Sequence, residues 1–143
     1  MLTILVVDDN VHLQNAFKKI LTSSGYKVEL ASDGEEGLSL ALEKRPDVIV
    51  LDMMLPKLSG LEVLRALKHN HATKEIPVIA LSGLPMSNDA RLRRDGAIKY
   101  LQKSDLEDVD VLLQAIDCAL LPPPGDEYPQ RAFFPNTVPE NKR

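Results

Sequence analysis

Six residues far apart in the chain are of types that do phosphorus or metal chemistry, and each follows closely on an apolar run. Asp8 and Asp9 follow LTILVV (2–7), Asp52 follows DVIVL (47–51), Ser82 and Gly83 follow IPVIAL (76–81), and Lys103 comes just after the run at 97–101. Singly, each has an ordinary explanation. An Asp after a strand is commonly a turn or cap residue, a Ser-Gly pair a turn, and a lone Lys solvated surface. Jointly they describe an acidic pocket. Three carboxylates brought together repel one another, and protonation is favoured unless a cation is present. Hard oxygen ligands with water suit Mg²⁺. Lys103 adds a positive charge, Ser82 a hydroxyl, and Gly83 a backbone that a ligand can approach closely. Such a pocket attracts a phosphoryl group through the metal, the ammonium and nearby hydroxyl and N–H donors.

These residues meet only if the elements carrying them converge. LTILVV reads as a strand. From Val11 the apolar positions Leu13, Ala16, Phe17, Ile20 and Leu21 mark one helix face, with Asn10 as N-cap and Gly25 as the stop. YKVELA (26–31) reads as a strand, and 33–44 as a helix capped by Asp33, with Glu36 three residues on as a loose capping box. DVIVL is a continuous β-branched run, as expected of a central parallel strand buried on both faces. Helices are predicted over 58–70, 86–95 and 106–120, and strands over 76–81, where Pro77 stands at the start, and 97–101. The last helix aligns Val109, Leu112, Leu113, Ile116 and Leu120, and Phe17 and Tyr26 are predicted core residues. Five strand–helix units in succession predict an α/β fold with a parallel sheet covered on both faces and right-handed crossovers. Ligands then bind at the carboxyl ends of the strands, where the five polar residues Asp8, Asp9, Asp52, Ser82 and Lys103 stand.

The stretches ILVVDDN (4–10), DVIVLDMMLPKLSGLEVL (47–64), VIALSG (78–83) and GAIKYLQK (96–103) together resemble the receiver domain of response regulators in two-component signalling. Pro56 and Gly60, four and eight residues past Asp52, belong to the pattern. The resemblance covers about 1–121. It implies a five-stranded, doubly wound (βα)5 fold of the flavodoxin or CheY-like kind, with strand order 2-1-3-4-5. It implies Asp52 as phosphoacceptor, and Mg²⁺ held by Asp9 and Asp52, with Asp8 lining the site and the Met54 backbone carbonyl as a further ligand. Ser82 then donates to a phosphoryl oxygen, Lys103 pairs with another, Gly83 lies in the switch loop, and Tyr100 occupies the place of the aromatic that turns inward on activation. The implied donor is a phosphohistidine on a sensor histidine kinase or phosphotransfer protein. The chain so read is a switch rather than an enzyme, and homodimerisation is expected through the face of the 86–95 helix, the fifth strand and the last helix. Two charge-assisted hydrogen bonds supply about 3–6 kcal/mol, against about 5.5 kcal/mol to move an equilibrium from 1:99 to 99:1.

Two departures from the family stand out. Ser104 replaces the usual Pro after the lysine, so a trans peptide is expected there. Met54 and Leu84, each two residues past a site residue, are apolar, and slow self-hydrolysis of the acyl phosphate is expected. Ile98-Lys99 stands where winged-helix DNA-binding members often carry paired acids, which argues against that subclass. Arg91, Arg93, Arg94 and Lys99 read either as a basic output patch or as a solvated helix face.

Composition bounds the remainder. Net charge is −4, so non-specific binding to nucleic acid or an anionic membrane is not expected. Aromatics are 4% with no Trp, which leaves no stacking platform for single strands. Cys118 is the only cysteine, so neither an internal disulfide nor a thiolate zinc site can form, and His12, His69 and His71 show no metal spacing. No secretory pattern and no long apolar run is present, so a cytoplasmic domain is expected. Residues 122–143 hold six of the ten prolines, which excludes helix or central strand and predicts a linker or tail after a domain spanning 1–121. Tyr128, Phe133 and Phe134 leave open a segment that docks. Three other readings compete: a receiver-like scaffold working without phosphorylation, an aspartyl-nucleophile phosphatase, and a flavin-binding electron carrier. The phosphatase wants a second Asp at position 54, where Met stands. The carrier wants a Ser/Thr/Gly phosphate loop where Asp8 and Asp9 stand.

Overall fold

Asp8, Asp52 and Lys103 come together only if the strands preceding them lie side by side and run the same way, and they do. The computed structural model describes residues 2–83 and 96–120. Strands β1 (Thr3–Val7), β2 (Lys27–Ala31), β3 (Val48–Asp52), β4 (Val78–Ser82) and β5 (Lys99–Gln102) form one parallel sheet in the order β2-β1-β3-β4-β5. The helices are α1 (Val11–Ser23), α2 (Gly34–Lys44), α3 (Gly60–Lys68) and α4 (Val109–Leu120).

The continuous apolar runs of β1, β3 and β4 have a direct physical cause. Successive side chains point to opposite faces of a sheet, and both faces are covered. Ile4, Val6, Val48, Val50, Ile79 and Leu81 pack under Phe17 and Leu21 of α1 and Leu112 and Ile116 of α4. Leu5, Val7, Ile49, Leu51, Val78 and Ala80 pack under Ala41 of α2 and Val63, Leu64 and Leu67 of α3. This is the expected doubly wound, CheY-like arrangement.

Several boundaries and faces differ from the expected ones. The buried stripe of α1 runs Gln14–Phe17–Leu21, while Ala16 is exposed and Leu13 only partly covered. Glu36 reaches back not to its cap residue but one further, accepting from Ser32 N–H at 2.8 Å. The last helix starts at Val109 rather than 106, because a 3₁₀ turn over Lys103–Glu107 precedes it. The fourth strand starts at Val78, since Pro77 has no N–H for the ladder, although its carbonyl accepts from Ile49 N–H at 3.0 Å. Phe17 is core, whereas the Tyr26 ring packs against the α1–α4 cluster and its hydroxyl donates outward to Asp117 at 3.0 Å. No described peptide bond is cis, so Lys103–Ser104 is trans. The helix expected over 86–95, with Leu84 and Arg91, Arg93 and Arg94, lies outside the described residues, as does the 122–143 tail.

The third helix carries a device that the spacing alone did not reveal. Ser59 accepts from Glu62 N–H at 3.2 Å while the Glu62 carboxylate accepts from Ser59 N–H at 2.9 Å, a full capping box. It seats Gly60 directly against the end of β3. A Cβ at Gly60 would overlap the Met53 backbone and come within 2.5 Å of the Asp52 carbonyl oxygen. Next door, Lys57 adopts a left-handed φ of 71° and pairs with Asp33 at 3.4 Å, tying the β3–α3 loop to the start of α2. Gly60→Ala is expected to destabilise the protein by about 1–3 kcal/mol through overpacking. Urea unfolding measures this, and an unchanged midpoint would contradict the close approach.

Candidate functional site

Sheet register decides which polar residues meet. Val7 pairs with Leu51, so the next residues, Asp8 and Asp52, share a row. Asp52 pairs with Leu81, and Ser82 with Gln102, which places Ser82 and Lys103 just beyond that row. Strands lie about 4.8 Å apart, so side chains from adjacent strand ends are in reach of one another. One oxygen each from Asp8, Asp9 and Asp52 lies within 4.8 Å of the other two.

Asp8 is fully buried and Asp52 is 1% exposed, while Asp9 is exposed. Backbone amides fix one oxygen of each buried carboxylate. Asn10 N–H donates to Asp8 Oδ1 at 2.9 Å, and Met54 N–H donates to Asp52 Oδ1 at 3.0 Å. The other oxygens turn toward Lys103, whose Nζ lies 3.1 Å from Asp8 Oδ2 and 3.1 Å from Asp52 Oδ2. The contact to Asp52 is a hydrogen bond. The contact to Asp8 has ion-pair distance without hydrogen-bond alignment, so Asp8 Oδ2 accepts no hydrogen bond among the described residues. A buried carboxylate oxygen left in that condition is costly.

The electrostatics follow from two buried carboxylates sharing one ammonium. Burial pushes the Asp52 carboxyl above its ordinary value. The Met54 amide and the Lys103 hydrogen bond oppose this, and the Asp8 charge adds to the rise. Burial pulls Lys103 down, but the hydrogen bond to Asp52 and the attraction of Asp52 and Asp8 together outweigh it, and its pKa is raised. The two partners therefore respond unequally: the Lys103 ammonium gains from the cluster, and the Asp52 carboxylate loses. The cluster has room for further positive charge. An orphaned buried oxygen beside two more carboxylates is a hard-oxygen donor set of the kind that fits Mg²⁺.

The remaining expected residues surround this centre. Ser82 is buried at the end of β4, and half-buried Tyr100 of β5 packs against the α2–α3 cluster. Gly83 is exposed, and an added Cβ there would meet no atom within 4 Å. Among the described residues no neighbour forces glycine at that position. Met54 is 66% exposed at the pocket's edge. The spacing argument missed one residue. Gln14 is only 7% exposed, and its amide donates to the carbonyls of Asp8 and Ala31 and to Ser32 Oγ. A polar residue on the buried stripe was the available signal, but it shows only once the helix face is known.

Comparison with known proteins agrees with this geometry. The family described as Response regulator receiver domain matches residues 4–117. The chain is similar to the polar-differentiation response regulator DivK of Brucella anthropi, at 38% identity over 71% of this chain and 83% of that protein. It is also similar to the response regulator MprA of Mycobacterium sp. (strain KMS), at 36% identity over 94% of this chain, spanning 59% of MprA's length. Among solved structures, the Vibrio cholerae chemotaxis protein CheY4 superposes with a TM-score of 0.78 at 29% identity, covering 84% of this chain and 99% of that one.

A stability measurement without divalent cations probes the charge imbalance. The Asp52 pKa is higher folded than unfolded, so its contribution to stability is present below the ordinary value of 3.8 and is lost as pH rises through the folded value. Asp52→Asn is therefore expected to be more stable than the parent at pH 7, with the gap closing as pH falls toward 4. A parent that is the more stable at pH 7, or a gap independent of pH, would contradict the burial cost.

Proposed function

The chain belongs to the response regulator receiver domain family and acts in phosphorylation-dependent two-component signalling, and on that premise we propose that Asp52 is the residue that takes the phosphoryl group. The supporting observation is the shared ammonium: Lys103 stands 3.1 Å from both buried carboxylates, at the open end of the sheet. Lys103 and the Met54 amide oppose the effect of burial on Asp52 and so favour the carboxylate that a nucleophile requires.

In the proposed step a carboxylate oxygen of Asp52 attacks the phosphorus of a partner's phosphohistidine. The new O–P bond forms as the N–P bond breaks, and the electron pair returns to the imidazole nitrogen, which takes up a proton. Asp8, Asp9, Asp52 and the Met54 carbonyl would hold a Mg²⁺ ion, which would supply charge neutralisation for the transferring oxygens. Lys103 then follows the negative charge from the carboxylate to the phosphoryl group, and the Ser82 hydroxyl donates to another phosphoryl oxygen. Gly83 leaves space for the switch loop to shift, and Tyr100 buries further as it does so. Receiver domains of this family work with sensor kinases or phosphotransfer proteins. Self-association is proposed at the β5–α4 face, where Ile98 and Val109 are exposed. The domain is taken as 1–121 with 122–143 as a tail, and the location as cytoplasmic. Among the described residues no helix is long and apolar enough to cross a membrane.

Incubation with Mg²⁺ and acetyl phosphate, read by intact mass, tests the assignment. The parent chain should gain one phosphoryl group, and neither Asp52→Asn nor the parent in EDTA should gain any. No addition in the parent would favour a scaffold, and equal labelling of Asp52→Asn would move the acceptor elsewhere.

A further inference from the structure

We propose that Gln14 is a positioning residue for the cation site, tying the acidic pair to the β2–α2 turn, a segment that supplies no ligand. The inference rests on the metal-site reading above and extends it to a helix and a turn outside the ligand set.

Gln14 lies on the stripe that carries Phe17 and Leu21, where an apolar residue would complete the packing. Instead its Nε2, with two hydrogens, faces three acceptors: Asp8 O, Ala31 O at 3.1 Å and Ser32 Oγ at 3.1 Å. Ala31 O already accepts from Asp8 N–H at 3.0 Å, so the amide closes a small ring joining the ends of β1 and β2. The carbonyl of Asp8 belongs to the peptide plane that leads into Asp9. Fixing that carbonyl fixes the peptide plane from which Asp9 starts, and Asp9 is the one carboxylate of the three that the core does not hold. Partners behind metal ligands act in this way, orienting ligands that they do not replace.

The far end of the contact extends the connection. Ser32 N–H donates to Glu36, Asp33 caps α2 by accepting from Glu36 N–H at 2.8 Å, and Asp33 pairs with Lys57 in the loop after Asp52. A cation drawing Asp8 and Asp9 together therefore pulls through Gln14 on the Ser32–Asp33 turn. Coupling of this kind is reciprocal, so loosening the turn weakens the cation.

The test is a Mg²⁺ titration of the full chain followed by amide NMR signals, with thermal unfolding run alongside. Gln14→Met keeps the side-chain length and removes the donors. It is expected to raise the Mg²⁺ Kd by about tenfold and to abolish the Mg²⁺-induced shift of the Ser32 and Asp33 amides expected of the parent. Ser32→Ala cuts only the far end and leaves the Asp8 contact, so it serves if Gln14→Met does not fold. It should give a smaller rise in Kd with the Asp33 shift lost. An unchanged Kd with only a lower Tm would overturn the proposal and leave Gln14 a packing residue. A parent chain that binds no Mg²⁺ would overturn the metal-site reading and this inference with it.

Discussion

Two buried carboxylates, Asp8 and Asp52, share a single ammonium, and this unbalanced contact is what the rest of the molecule is arranged around. One Lys103 cannot neutralise both, and the exposed Asp9 adds to the deficit. A salt bridge built for stability alone would match its charges and satisfy its oxygens. Here Asp8 Oδ2 lacks an aligned donor, and Asp52 is pushed toward protonation. On the proposed reading the deficit has a use: a site short of positive charge would attract a divalent cation, and then a phosphoryl group that Lys103 could follow.

Holding like charges together requires a frame that does not give way. The parallel sheet supplies it, because β1 and β3 are central strands buried on both faces and their register leaves no freedom to slide. The backbone amides of Asn10 and Met54 then aim one oxygen of each carboxylate, so the other must face Lys103. The Ser59–Glu62 capping box presses Gly60 onto the chain just past Asp52, and Gln14 closes the opposite side against β2. Each contact is modest, but together they turn a flexible rim into a defined cluster.

Much of this was legible in the sequence, for physical reasons. Strands buried on both faces must be apolar throughout, so DVIVL and IPVIAL announce central strands, and polar residues at their ends announce the rim. Asn10 and Asp33 cap helices as their types predict. The strand order came with the family resemblance and not from periodicity, since apolar runs do not say which neighbour they pair with. The faces of α1 and α4 were less legible. Leu13 and Val109 look like core by spacing, but the buried stripes keep Phe17, Leu21, Leu112 and Ile116 and take in Gln14 and Ala115 instead. Nothing local reveals that Gln14 is buried, because its value depends on a carbonyl six residues back and on a turn from another strand. The 3₁₀ turn over Lys103–Glu107 was hidden because its sequence is equally compatible with an α-helix.

The most direct test is crystallographic. Crystals grown with Mn²⁺, which accepts the same oxygen ligands as Mg²⁺, should show one anomalous peak bounded by the carboxylates of Asp8, Asp9 and Asp52 and the Met54 carbonyl, with Lys103 still beside the carboxylates. A fully loaded crystal with no peak there, or with manganese bound only at other acidic residues, would contradict the view that this cluster is held in deficit to receive a cation.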